Sequence, residues 1–257
     1  MEKYIGFFGV DATGKSTLAK QVEETNLNLP VKHLYFEKSP QIKFYGIQLV
    51  ICMYFVLKHN FSSPRALQLP DYEKKYQLNK QKLFQATNAF LDSETNAILK
   101  ADKNSDIAVV EGALFPRAIS TYFTLYPQAN KNMFSQYEEV YKKRTILPLL
   151  LTVSEKKQLE ILQKRRQQAA DYEHLKEKIP GSHTLLDLMH MSDWLDFILL
   201  DNPNWRSNYT ETYNAYIQRI FPDVTEKNVL ENGDHLEIMT GLQDKLESLK
   251  NSKNRSN

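Results

Sequence analysis

Cysteine is almost missing from this chain: Cys52 is the only one in 257 residues. A lone thiol forms no internal disulfide, which excludes a disulfide-stapled scaffold and fits a reducing, cytoplasmic setting. An excess of one charge is missing as well. With 33 basic and 31 acidic residues the net charge is +2, so the basic footprint of a nucleic-acid binder is absent. No apolar run is long enough for a membrane span. The most hydrophobic stretch, residues 44–57 (FYGIQLVICMYFVL), falls short of the about 20 residues that a spanning helix needs. It reads as a buried helix or as one facing a second subunit, which allows a homodimer; a membrane-surface role is the alternative. The apolar run from Tyr4 to Val10 is short and leads into glycine without a small-residue cleavage site, unlike a secretory signal. The six histidines show no spacing such as H-E-x-x-H that would hold a transition metal.

Glycine is scarce too, at eight residues, yet Gly6, Gly9 and Gly14 fall within the first fourteen. A glycine-poor chain that clusters its glycines needs backbone freedom there. What remains is ordinary for a globular protein: 42% hydrophobic and 25% charged residues. Apolar runs at Lys3 to Phe8, Val31 to Phe36, Ile107 to Val110 and Ile146 to Val153 read as strands. Val229-Leu230 is the candidate for a last strand, and Phe197 to Leu200 suits either a strand or a helix end. Between them, Ser16 to Glu24, residues 41–58, Glu73 to Lys100, Lys156 to Arg166 and His235 to Leu249 read as helices. Strands alternating with helices predict a three-layer α/β/α fold with a parallel sheet of about five strands. A single domain over residues 1–249 is expected, with a polar, disordered tail at 250–257.

Residues Gly9-Val10-Asp11-Ala12-Thr13-Gly14-Lys15-Ser16 match G-x-x-x-x-G-K-[ST] without a mismatch, between a strand and a helix. Glycines let successive N–H groups turn inward around phosphate oxygens, and the helix start adds its partial positive charge. Lys15 suits neutralisation of the β and γ phosphates, and the Ser16 hydroxyl suits Mg²⁺. Nucleotide phosphate binding, with Gly9, Ala12, Thr13, Gly14, Lys15, Ser16 and Thr17 as the cradle, follows from this loop. Asn79-Lys80-Gln81-Lys82 lacks the aspartate of a guanine-reading N-K-x-D, which argues against a GTPase.

The segment Phe8 to Thr17 (FGVDATGKST) resembles the phosphate loop of thymidylate kinases. The resemblance implies a phosphate-loop kinase that moves the γ-phosphate of ATP, with Mg²⁺, onto a nucleoside monophosphate. It implies that Asp11 orients the acceptor. Phe8 departs from the family's usual glutamate, and Ala12 stands where some members carry a catalytic arginine. Leu149 to Arg166 resembles the strand and helix that lead into the family's mobile lid, placing a lid near residues 160–180. Arg165 and Arg166 then take the transition-state role, where a late-arriving positive charge is most effective. Glu111, ending the strand Asp106 to Glu111, would organise Mg²⁺ and its waters. Gly112 and Asn88 stand where thymidylate kinases hold the acceptor phosphate with arginine, and Arg117 is the substitute cation.

Those two losses bring in a neighbouring family. Phe84-Gln85 resembles the Phe-Gln pair of deoxynucleoside kinases, whose glutamine reads the base, and Glu37 resembles their general base. Glu111 resembles the glutamate of their Glu-Arg-Ser motif. The alternatives to a monophosphate kinase are therefore a deoxynucleoside kinase acting on a 5′-hydroxyl and a nucleotide-binding protein whose catalytic parts have decayed. Residues 180–227 resemble no family segment.

Overall fold

A computed structural model describes residues 3–10, 12–24, 31–34, 45, 49, 70–101, 107–111, 114–176, 203–230 and 235–254. Among these the chain alternates strand and helix. It runs β1 (Lys3–Phe8), α1 (Lys15–Glu24), β2 (Val31–Leu34), α2 (Pro70–Ala101), β3 (Ile107–Glu111), α3 (Leu114–Leu125) and α4 (Ser135–Arg144). Then follow β4 (Thr145–Leu151), α5 (Glu155–Lys176), α6 (Pro203–Ile220), β5 (Thr225–Lys227) and α7 (His235–Asn254). The strands form one sheet in the order β2-β3-β1-β4-β5, and every pairing is parallel.

Side chains alternate across a strand, so β1 feeds both faces of the sheet. Ile5 and Phe7 enter one core with Leu149 and Leu151 of β4. There they meet Leu18, Ala19 and Val22 of α1 and Ile238 and Leu242 of α7. Tyr4 and Phe8 enter the other core with Leu150, under α2, α3, α4, α6 and the first part of α5. Helices thus cover both faces, which is the expected three-layer α/β/α arrangement. All four of these β1 side chains are at most 1% exposed, as befits a central parallel strand buried on both sides.

Pro148 stands in the middle of β4, where its missing N–H would ordinarily break a ladder. Two features accommodate it. The β1–β4 register slips between Tyr4↔Thr145 and Ile5↔Leu147, leaving Ile146 as an extra residue. On the other side β5 pairs only with Leu149, Leu150 and Leu151.

Helices α2 and α4 lie side by side and run the same way: Phe84 meets Phe134, and Tyr137 meets Asn88 and Asp92. Both lead to the amino edge of the sheet. There the Arg144 guanidinium and the Tyr4 hydroxyl both donate to the Ile98 carbonyl. The end charges of α4 suit its dipole, with Glu138 in the first turn and Lys142, Lys143 and Arg144 in the last.

Two expectations need correction. Val229-Leu230 is not the last strand; β5 is Thr225–Lys227, and Val229 and Leu230 follow it in a turn. Their apolar character serves the core beside α1, whereas β5 is a polar edge strand that no hydrophobic pattern announces. The segment 250–257 is not a disordered tail throughout, because α7 continues to Asn254. In the segment expected to form a lid, residues 160–176 continue α5 as helix, in line with the helix expected at Lys156 to Arg166. Tyr45 and Leu49 are helical, as expected for 41–58. The rest of that stretch, Phe197 to Leu200, and residues 177–180 lie outside the described residues.

Candidate functional site

In an open parallel sheet the ligand crevice forms outside the carboxyl ends of the strands, where neighbouring connections diverge. Here that point is the end of β1, flanked by β3 on one side and β4 on the other. The glycine-rich loop sits there. Its backbone takes positive φ at Gly9 (150°), Ala12 (69°) and Gly14 (88°). At Gly9 a side chain is excluded twice over. A Cβ would lie 2.6 Å from the Leu151 carbonyl oxygen and 2.5 Å from Thr13 Oγ1, and the φ value is one that essentially only glycine adopts. At Gly14 a Cβ would press on Val229 and Leu230 at 3.0 Å each. The turn after β5 therefore closes down on the loop.

Ala12 is a non-glycine residue at positive φ, and it is buried in the same core cluster as the tyrosines of α6. Thr13 is also buried and donates from Oγ1 to the Val10 carbonyl at 2.9 Å, tying the loop across its mouth. The Lys15 ammonium donates to the carbonyls of Gly9 and Val10, each at 2.8 Å. Ser16 and Thr17 are exposed in the first turn of α1, where the helix dipole favours an anion.

The remaining candidates fall on several different elements. Asp11, Glu37 and Gly112 lie outside the described residues. Glu111 ends β3, and its register partner is Phe7, two residues before the loop; the backbone therefore brings this carboxylate-bearing position to the right edge. Arg117 is half-buried in the first turn of α3. Gln85 is exposed on α2, whereas Phe84 is half-buried and packs on Tyr122 and Phe134, with ring centroids 6.1 and 5.8 Å away. Arg165 and Arg166 are exposed on α5, about 15 Å along the helix from Glu155 at ~1.5 Å per residue. Asn88 donates to the Phe84 carbonyl at 3.0 Å and accepts from the Tyr137 hydroxyl at 3.2 Å.

Two contacts near the loop had no counterpart in the motif reading. The Gly9 N–H donates to the Tyr213 hydroxyl at 3.1 Å, a buried bond between β1's end and α6. Further up the same helix, the buried Arg206 pairs with Glu155, the first residue of α5. The signal for α6 was present: Tyr209, Tyr213, Tyr216, Ile217 and Ile220 recur at helical spacing and all are buried.

Electrostatic perturbation concentrates in the tyrosines under α2, α4 and α6. Burial, with help from the bond donated to Asp92 at 2.9 Å, pushes Tyr137 up to about 12. Burial first, then the negative charge of Glu94, raises Tyr141 well above the ordinary phenol value. Burial and Glu138 do the same for Tyr216. The ammonium of Lys131 is shifted down by burial and by the nearby Arg219 charge.

No protein-family model matches the chain, and no curated protein matches it. Among solved structures, a deoxyadenosine kinase from M. mycoides with bound dATP is similar at 13% identity, with a TM-score of 0.48. The alignment covers 94% of this chain and 99% of that one. A likeness at this level carries no inference about activity. Among the described residues, no helix is long and apolar enough to cross a membrane.

Proposed function

We propose that the protein is an ATP-dependent phosphotransferase with a nucleoside-type acceptor, the thymidylate-kinase-like reading being transfer to a nucleoside monophosphate. The observation that carries this is the loop itself. Three positive φ values at Gly9, Ala12 and Gly14 and the start of α1 at Lys15 meet at the sheet's divergence point. The donor phosphates would lie on Gly9, Ala12, Thr13, Gly14, Lys15, Ser16 and Thr17. To reach them, Lys15 would exchange the carbonyls of Gly9 and Val10 for phosphate oxygens.

The residues suit a magnesium ion: Ser16 offers an exposed hydroxyl beside the phosphate cradle, and Glu111 brings a carboxylate to the neighbouring strand end. Bound there, Mg²⁺ would supply charge neutralisation on the phosphates. Asp11 would orient the acceptor, Arg117 would meet its phosphate, and Arg165 or Arg166 would stabilise the transferring group.

One observation favours the second reading, a deoxynucleoside kinase using Glu37 as base, with Phe84 and Gln85 on the acceptor side. Asn88, which takes the place of an acceptor-phosphate arginine, is bonded within α2 and to Tyr137. Burying a doubly charged phosphate without a cation is costly, and a nucleoside brings no such charge. A decayed nucleotide binder would bind ATP and transfer nothing.

The test is a screen of nucleosides and nucleoside monophosphates with ATP and Mg²⁺, run on wild type and on Lys15→Ala. The variant should fold normally and lose transfer to every acceptor. Retention of a tenth or more of wild-type turnover, a loss of about 1.4 kcal/mol or less, would overturn the assignment of the loop.

A further inference from the structure

Gly9 is the residue on which the phosphate loop turns, and both of its backbone polar groups are engaged. Its carbonyl accepts from Lys15 at 2.8 Å. Its N–H, at the end of β1, donates to the hydroxyl of Tyr213 at 3.1 Å. A buried N–H needs a partner, and this one finds it in a side chain of α6. The Tyr213 ring is 2% exposed and belongs to the core beneath that helix. The hydroxyl is therefore held in place by packing and cannot follow the loop if the loop moves.

We propose that Tyr213 is a positioning residue for the phosphate loop. Its hydroxyl fixes the Phe8–Gly9 peptide and with it the backbone angle at Gly9, which sets the next peptide's carbonyl and so where the Lys15 ammonium rests before phosphate arrives. This inference rests on the reading of residues 9–16 as a nucleotide phosphate site. The same helix also holds Glu155, at the root of α5, through Arg206. α6 thus braces the phosphate loop and the helix bearing Arg165 and Arg166 from one buried face.

Without the hydroxyl, the Gly9 N–H must turn to find another acceptor; this rotates the Phe8–Gly9 peptide plane, changes φ at Gly9, and so shifts the following Gly9–Val10 peptide, whose carbonyl accepts from Lys15. The consequence falls on phosphate affinity, because the ring that packs the core is unchanged in Tyr213→Phe. The comparison variant is Tyr216→Phe. It removes a second buried hydroxyl of α6, one that donates to Glu138 at 3.1 Å.

The experiment measures Mg·ATP and Mg·tripolyphosphate binding by calorimetry, with thermal midpoints, for wild type and both variants. Tyr213→Phe should weaken both ligands by about 5- to 20-fold, roughly 1–2 kcal/mol, while Tyr216→Phe lowers the midpoint and leaves both affinities unchanged. Wild-type affinity in Tyr213→Phe would overturn the positioning role and leave the phosphate site standing. Equal weakening by both variants would overturn it too, by making the effect a general one of the tyrosine core. A wild-type protein that binds neither ligand would overturn the phosphate site itself, and the positioning role with it.

Discussion

The two helical layers that enclose the sheet are made of different chemistry. On the α1 and α7 side the buried residues are Ile, Leu, Val, Ala and one Phe. On the other side, among the described residues, tyrosine dominates, with Tyr137 and Tyr141 on α4 and Tyr209, Tyr213 and Tyr216 on α6. Buried carboxylates accompany them, at Glu94 and Glu138. Aliphatic burial is non-directional and tolerates small shifts. A buried phenol contributes a large apolar ring and also a hydroxyl that must be placed against a partner. One layer attaches the helix that begins at the phosphate loop; the other fixes angles and reaches the loop through a hydroxyl.

The contrast is sharpest at the ion pair between Glu138 and Arg219. Glu138 is 2% exposed, whereas Arg219 is 37% exposed. Arg219→Ala leaves a buried carboxylate facing, among the described residues, the Tyr216 hydroxyl, and should cost about 3–5 kcal/mol. Glu138→Ala frees a guanidinium that reaches water and should cost less, about 1–3 kcal/mol for the orphaned Tyr216 hydroxyl. Urea unfolding of both variants measures the order. Equal losses would mean that the pair is not buried asymmetrically.

Alkaline pH should separate the layers next. Tyr137 titrates near 12 in the fold against 10 unfolded, and Tyr141 and Tyr216 are also raised. The folded state therefore holds these protons more tightly. The stability that this gives is complete below pH 10 and is lost as pH rises through 12. Urea midpoints of wild type should fall across that window, and those of Tyr137→Phe should fall less steeply. Parallel slopes would remove Tyr137 from the explanation. In the aliphatic layer the smallest effect is expected: Ile238→Val on α7 should cost about 0.5–1.5 kcal/mol, with the same pH dependence as wild type. A larger cost would show a layer as exacting as its opposite.

This division also explains what could be read from sequence. β1, the loop and α1 were legible because glycine is rare and the motif fixes residue types by position. β3 and β4 were legible as apolar runs, and the alternation of apolar strands with helices announced a parallel sheet covered on both faces. β5 was not, since Thr225, Glu226 and Lys227 carry no apolar signal, while Val229 and Leu230 imitated a strand. The tyrosine layer was legible only as core. Which hydroxyl meets Gly9 depends on how α6 sits on the sheet, and no local pattern encodes a contact of that kind. Arg117, Arg165 and Arg166 stood out by charge, yet charge alone does not say where a helix carries it.

The bond between Gly9 and Tyr213 also bears on how the chain is made. Its ends are 204 residues apart, and Gly14 is covered by Val229 and Leu230 from later still. On a ribosome adding about 5–20 residues per second, the loop waits about 10–40 s for the tyrosine that completes it. Contacts this distant in sequence also slow folding, because the ends must be brought together before the bond rewards them. The glycine loop is made long before the helix that holds it in place, and the two meet across 204 residues of chain.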